Sequence, residues 1–423
     1  MSFEIASVWP WLLFAAIIFF GAGWLVARRD TRELLSQSRA MPQAYFKGLN
    51  FLLNEQQDEA IEAFVAATKT NPESVELQFA LGSLFRKRGE VDRAIRVHQH
   101  LAERSDVGVE QRTTARLELA LDYQKSGLLD HAEKILSEIT TKAIGSTLQQ
   151  TTARQRLLQI HVQEKSWTKA VASARELDAK GGDTATHATE IAHYLCEQAQ
   201  ETYQASQPIE ALAFLDQALA ANPASVRANV MKSEWLAKAL QHGESIAVWH
   251  LIEQQDPAYL GLLADQVLSS YEAMGEITQG LADLSAVHQQ YPALDMLNAL
   301  FSATLKAKGP EAAQQLVKAD LRQNPTLVGL DRLLEAALLS DAGRGNSDLQ
   351  VQKDVVHSHA SRLAVYLCKQ CGFKAKQFYW HCPACNGWGT FPPRRTAEYE
   401  TAGRHLVRSQ IERNERIKKD VSA

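Results

Sequence analysis

Proline and glycine are scarce in this chain, twelve and 22 of 423 residues, so few positions force a helix to stop. Ala, Leu, Gln, Glu, Lys and Arg recur instead, and these rank highest in helix propensity. An excess of one charge is also lacking. The formal net charge is −4, which gives no global electrostatic case for nucleic acid as a partner. H-E-x-x-H, a P-loop, G-x-S-x-G and the dinucleotide glycine fingerprint are all missing, so the expectation is a non-enzymatic protein. A hydrophobic content of 45% excludes wholesale disorder. The length implies two or three units and not one compact core.

Charge is absent altogether from Val8 to Ala27. These twenty residues, at 1.5 Å per residue, match the roughly 30 Å hydrocarbon core of a bilayer. Trp9, Trp11 and Trp24 stand near the two ends, where amphipathic rings favour the interface. A secretory signal peptide is the alternative, but only Glu4 precedes the run and no small-residue cleavage pattern follows it,. Arg28, Arg29, Arg32 and Arg39 come after the span and no basic residue comes before it. The positive-inside rule then puts the N-terminus in the periplasm and the C-terminal bulk in the cytoplasm. In a reducing compartment the cysteines read as metal ligands or thiols before disulfides.

Self-similarity follows. Gly48 and Gly82 lie 34 residues apart, the tetratricopeptide period. Residues 41–74 fit that pattern with Gly48, Phe51, Ala60, Phe64, Ala67 and Pro72; residues 75–108 with Leu81, Gly82, Phe85, Gly89, Ala94 and Leu101; and residues 113–146 with Leu119, Ala120, Tyr123, Gly127, Ala132 and Leu136. Small residues let paired helices approach closely and large ones fill the space beside them. Later units are more degenerate. Trp167 with Ala170, Ala211 with Pro223, Trp249 with Pro257, Tyr271 with Pro292 and Ala313 with Pro325 mark them, and Leu330 to Leu339 reads as a closing helix. The expectation is a superhelical solenoid of about eight helical pairs, whose concave face binds protein. By helix phase Phe79, Ser83, Arg86 and Lys87 line that face. Arg86, Lys87 and Arg88 read equally well as a solvated basic turn.

Composition shifts after Ser340. Residues 341–364 read as a connector with at most a short helix. Cys368, Cys371, Cys382 and Cys385 then form C-x2-C-x10-C-x2-C. Each C-x2-C turn offers two sulfurs to one ion, and two turns close a tetrahedral tetrathiolate site. Gly372 suits the left-handed position after the first turn and Asn386 tolerates it after the second. Four ligands leave no open position, so the ion should be structural. Zinc comes first, and iron also accepts four thiolates. Disulfides and redox dithiols are the competing readings. His381 adjoins a ligand, but four cysteines already satisfy the ion. The aromatics Tyr366, Phe373, Phe378, Tyr379, Trp380, Trp388 and Phe391 supply a mini-core, with one or two packing the module onto the last repeat. Trp388 is also a candidate partner contact. Cys196 lies in a helical stretch and reads as a small buried apolar residue. The tail from Arg394 carries eight basic against five acidic residues.

The chain thus reads as mostly α: an anchor over 1–30 with its span at 8–27, a solenoid over 31–340, a connector over 341–364, a rubredoxin-like four-cysteine zinc ribbon over 365–393, and a charged tail over 394–423. Several strings resemble the lipopolysaccharide assembly protein B (LapB) family: Gly48-Leu-Asn-Phe-Leu-Leu-Asn-Glu-Gln-Gln-Asp58, Leu81-Gly-Ser-Leu-Phe-Arg-Lys-Arg-Gly-Glu-Val-Asp-Arg-Ala-Ile95, Glu190-Ile-Ala-His193 and Tyr379-Trp-His-Cys-Pro-Ala-Cys385. The resemblance implies an inner-membrane protein that helps the membrane protease FtsH degrade the deacetylase LpxC. It also implies contacts with other lipopolysaccharide assembly and inner-membrane regulatory proteins, and with a periplasmically exposed partner. Only the four cysteines carry over residue by residue, as metal ligands. Self-association stays open. So do two other readings: a passive platform for lipopolysaccharide proteins, and a rubredoxin-type electron carrier, against which the ten-residue spacer argues.

Overall fold

The structure, a computed structural model, describes residues 43–54, 56–70, 73–181, 186–341, 343–363 and 365–396. The apolar run 8–27 and the tail beyond residue 396 lie outside the described residues. Among those described, no helix is long and apolar enough to cross a membrane. The chain is a mostly helical tetratricopeptide solenoid with a C-terminal four-cysteine cluster, divided into two compact units at Glu164.

The first unit contains α1 (Gln43–Leu53), α2 (Gln57–Thr70), α3 (Val75–Lys87), α4 (Val91–Glu103), α5 (Val109–Lys125), α6 (Leu129–Thr141) and α7 (Thr147–Gln163). Each helix packs on the next, and the first helices of successive pairs also touch, α3 on α5 and α5 on α7. The small positions explain the spacing. A β-carbon on Gly48 would stand 2.8 Å from the Phe64 ring, and one on Gly82 would stand 2.5 Å from His98. Helices this close exclude water from Ala60, Phe64, Ala94 and Leu101, all fully buried.

His98 occupies a position where the repeat expects a large apolar side chain, and its burial requires a partner. Its Nδ1 lies 2.5 Å from an Asp122 oxygen, and Asp122 also accepts from Arg86 at 2.7 Å. Arg86 further pairs with Glu118 at 2.5 Å, and Glu118 accepts from Arg156 at 3.3 Å. Burial alone would lower the Arg86 pKa, but the bond to Asp122 and the charge of Glu118 offset this and raise it. Three successive repeats are thereby joined through charge that is partly buried at Arg86, Glu118 and Arg156 and fully buried at Asp122.

The second unit begins with α8 (Trp167–Gly181) and continues with α9 (Ala188–Gln204), α10 (Pro208–Ala221), α11 (Val226–Lys238) and α12 (His242–Gln255). A 3-10 turn (Pro257–Leu263) runs into α13 (Ala264–Ala273), followed by α14 (Ile277–Gln290), α15 (Leu294–Lys308), α16 (Pro310–Gln323) and α17 (Leu327–Leu339). Its main core gathers Trp249, Leu260, Leu263, Tyr271, Leu284 and Leu300.

The region between the repeats and the cysteines departs from the expected connector. It holds a seventeen-residue helix, α18 (Ser347–Leu363). The Asn346 side chain caps it, accepting from the backbone N–H of Asp348 and Leu349 at 3.1 Å each. Lys353 and His357 reach back to the buried Asp331 of α17 at 2.5 and 3.1 Å, and Ala360 fits against Leu294, Leu297 and Val328. α18 docks through charge and one small residue, so the hydrophobic period that announces a helix is weak here.

Gly82→Ala is expected to destabilise the first unit by about 1–2 kcal/mol, overpacking outweighing the helix propensity that alanine adds. A lower urea midpoint at unchanged slope would register it.

Candidate metal centre

Two short strands, β1 (Tyr366–Leu367) and β2 (Lys374–Ala375), pair antiparallel with Tyr366 opposite Ala375. Between them the first cysteine pair forms a tight turn. Cys368 N–H donates to Phe373 O at 2.9 Å and Gly372 N–H to Cys368 O at 3.0 Å. The second pair repeats this geometry, with Cys382 N–H donating to Gly387 O and Asn386 N–H to Cys382 O, both at 2.9 Å. Gly372 at φ +76° and Asn386 at φ +55° take the left-handed conformation that closes each turn,.

The two turns bring all four sulfurs within 4.8 Å of one another. Cys368 Sγ lies 3.8 Å from Cys385 Sγ, and Cys371 Sγ lies 3.7 Å from Cys382 Sγ. Ligands about 2.3 Å from a tetrahedral centre stand about 3.8 Å apart, so the spacing fits one ion and no disulfide. Burial pushes the Cys368 thiol up, yet hydrogen bonds from Thr390 and the neighbouring backbone hold it down to about 6. A backbone N–H bond at Phe373 favours the Cys371 thiolate, but local loss of water around the sulfur and the surrounding sulfurs push that thiol up to about 12. Thiols that titrate against one another in this way are a donor set for a cation. Cys368 and Cys382 are buried with Tyr366 and Phe391, whereas Cys371 is exposed.

The ribbon sits on the second unit at three places, of which one, at Asp295 on α15, belongs to the last full pair. Trp388 lies between His193 and His381, at ring separations of 5.0 and 4.3 Å and interplanar angles of 18° and 21°. Tyr194 and Trp167 meet it edge-on, and the Arg227 guanidinium stands 5.3 Å from its ring centre. Arg227 is held in turn by Glu197 at 2.6 Å. At the second place Trp380 stacks on Tyr259 at 5.2 Å, nearly parallel. At the third, Asp295 accepts from the Tyr366 hydroxyl and from Arg395 Nε, the latter at 2.6 Å. The ribbon thus reaches from α8 and α9 to the start of α15. α18 makes this route available, because its Ala360 packs beside Leu294 and so delivers β1 next to Asp295.

The candidate partner residues need revision in this light. Trp388 is committed to the seat within the chain. Arg86 has a side chain only 14% exposed and is locked to Glu118 and Asp122, so it is neither an open groove cation nor a solvated turn. Phe79 is half-buried with its ring 6.1 Å from that of His98, Ser83 is half-buried, and Lys87 is exposed. His381 Nε2 donates to the Asn386 carbonyl at 3.0 Å and stands beside the sulfurs without joining them. Cys196 is fully buried, which pushes its thiol up to about 11. His193, Tyr194, Arg227, Tyr259 and Asp295 were not legible as seat residues. Their only sign is aromatic and charged side chains where the repeat pattern requires none.

Fold and site together define a class: a tetratricopeptide protein that carries a rubredoxin-type four-cysteine ribbon on its own repeats. Family models agree, Rubredoxin metal binding domain over residues 366–393 and Tetratricopeptide repeat over 47–104. Lipopolysaccharide assembly protein B of Escherichia coli (strain K12) is 31% identical over 378 residues, 88% of this chain and 95% of that protein. Its counterpart in Haemophilus influenzae is 27% identical over 388 residues, 89% of this chain and 96% of that protein. Among solved structures, the TPR2AB domain of yeast Sti1 in complex with pHSP90 is 16% identical, covering 65% of this chain and 95% of that one at a TM-score of 0.29. The chain belongs to the lipopolysaccharide assembly protein B family.

Two outcomes are expected of the seat. Trp388→Ala should release the ribbon at about 3 kcal/mol, seen as faster hydrogen exchange across residues 191–196 and 366–375 with unchanged metal content. Acid should act through His193, whose pKa burial, then Arg227 and His381, lower from 6.5 to about 3. Above pH 6.5 the imidazole is neutral whether seated or released. As pH falls below 6.5 the released ring takes up a proton that the seated ring refuses until about pH 3. The seat therefore weakens on acidification, by about 2 kcal/mol at pH 5. Tryptophan fluorescence between pH 7 and pH 5 reads this, and His193→Phe should flatten it.

Proposed function

We propose that this chain is a non-enzymatic adaptor of lipopolysaccharide synthesis in the inner membrane, one that holds the deacetylase LpxC beside the membrane protease FtsH. The observation that carries the reading is the alignment with a protein named for lipopolysaccharide assembly along 95% of that protein's length. Helical repeats suit the part, because they offer extended surfaces for protein contact. The uncharged run 8–27 is the tether, and the arginines that follow it put the bulk of the chain on the cytoplasmic side,. A tether of this kind confines adaptor and protease to one surface and raises their effective concentration, so delivery requires no chemistry by the adaptor.

Cys368, Cys371, Cys382 and Cys385 hold zinc in this reading. Zinc with four thiolates has no vacant position for water or substrate, and what it supplies is a crosslink. Lys87 and Phe79 in the first unit stay open as partner contacts.

Depletion of the protein is expected to lengthen the half-life of LpxC, followed by pulse-chase. An unchanged half-life with loss of co-purifying lipopolysaccharide proteins would instead identify a passive platform. Elemental analysis of the purified full chain should return one zinc and no visible charge-transfer band; coloured, redox-active iron would revive the electron carrier.

A further inference from the structure

The first helix carries an apolar stripe on the side away from its repeat. Phe46 is 61% exposed, Leu49 36% and Leu53 81%, and their spacing of three and four residues puts them on one face of α1. The opposite face packs inward: Gly48 lies against Phe64, and the half-buried Phe51 packs against the first core cluster. The other exposed large apolar side chains of the first unit, Val109, Leu128 and Leu148, sit on three different helices or loops. Single residues of that kind need no explanation, whereas a contiguous stripe does. α1 is the first of the described helices, and its outer face is apolar where the outer face of an array is ordinarily polar,.

Charge and chain length point to the occupant. Residues 28–54 contain five basic side chains, Arg28, Arg29, Arg32, Arg39 and Lys47, against two acidic ones, Asp30 and Glu33. α1 itself has no acidic residue. An apolar stripe in a basic, acid-poor segment complements an anionic lipid surface. A two-fold contact with a second copy would set that basic segment against its own kind. The intervening residues 28–42 offer only Leu34, Leu35 and Met41 as large apolar side chains to cover the stripe. Gln43 follows Ala27 by sixteen residues, which reach at most about 55 Å, so a span at 8–27 keeps α1 within range of the headgroups.

We propose that Phe46, Leu49 and Leu53 lie in the boundary between headgroups and acyl chains of an anionic bilayer, docking the first repeat onto the membrane surface. The proposal rests on the tether reading of residues 8–27 and adds a second membrane contact to it.

The full chain, reconstituted into vesicles of phosphatidylethanolamine and phosphatidylglycerol, provides the test. A benzoylphenylalanine photocrosslinker placed at position 46, 49 or 53 is expected to yield lipid adducts by mass spectrometry. The same group at Leu148, 76% exposed on α7, should yield none. Flotation after an alkaline wash reports on the span independently. Floating protein without lipid adducts at the three positions overturns the docking and leaves the tether standing. Adducts to a second copy, or to residues 28–42, also overturn it. Protein that no longer floats overturns tether and docking together. A triple variant, Phe46→Ser, Leu49→Ser, Leu53→Ser, should keep its helical circular dichroism, because the stripe is outside the core, and should lose the protection from hydrogen exchange that vesicles confer on α1.

Discussion

The Phe64 ring lies 2.8 Å from where a β-carbon on Gly48 would stand, and the His98 ring lies 2.5 Å from the same place at Gly82. Close approach of paired helices is the constraint on which the remaining structure depends. Helices at this distance bury only the side chains between them, so each pair leaves one face for the next to cover. The array grows in this way, and interactions stay between neighbours. Where a buried position became polar, as at His98, the neighbouring repeat had to supply Asp122, and Asp122 in turn called for Arg86. A buried carboxylate without those partners would be strongly destabilising.

The ribbon escapes the nearest-neighbour rule. Its two strands are two residues each, and its own core is little more than Tyr366, Phe391 and two buried cysteines. A module this small depends on the ion its sulfurs can hold and on the surface it rests upon. That surface comes from segments spread over about a hundred residues of sequence: α9 and α11 meet Trp388, the 3-10 turn meets Trp380, and α15 meets Tyr366 and Arg395. Trp380 also packs against the main core of the second unit, so ribbon and repeats share buried surface.

The sequence made the repeats and the sulfurs legible for the same reason: both depend on spacing along the chain. Thirty-four residues from Gly48 to Gly82, and two residues within each cysteine pair, are properties of one strand of text. α18 was misread because it is held by Lys353 and His357 to Asp331, charges on a helix that shows no apolar period. Trp388 reads as a mini-core aromatic and a candidate partner contact, since nothing local shows that His193, nearly two hundred residues earlier, closes over it. Arg86 reads from its own helix as a groove cation or a turn residue, but its partners Glu118 and Asp122 belong to the following repeat. What was lost each time was a pairing between distant segments.

The three-point seat has a consequence for how such a chain can change over generations. Tandem arrays lengthen readily by duplicating a unit, because a new copy needs only compatible neighbours. Between Trp167 and Asp295 that freedom is gone. An extra pair of helices there would carry Asp295 away from Arg395 while Trp388 stayed with His193, and a rigid ribbon of under thirty residues cannot stretch to meet both. The ribbon works as a caliper closed on a fixed number of repeats, so variation in repeat number should be confined to the stretch before Trp167.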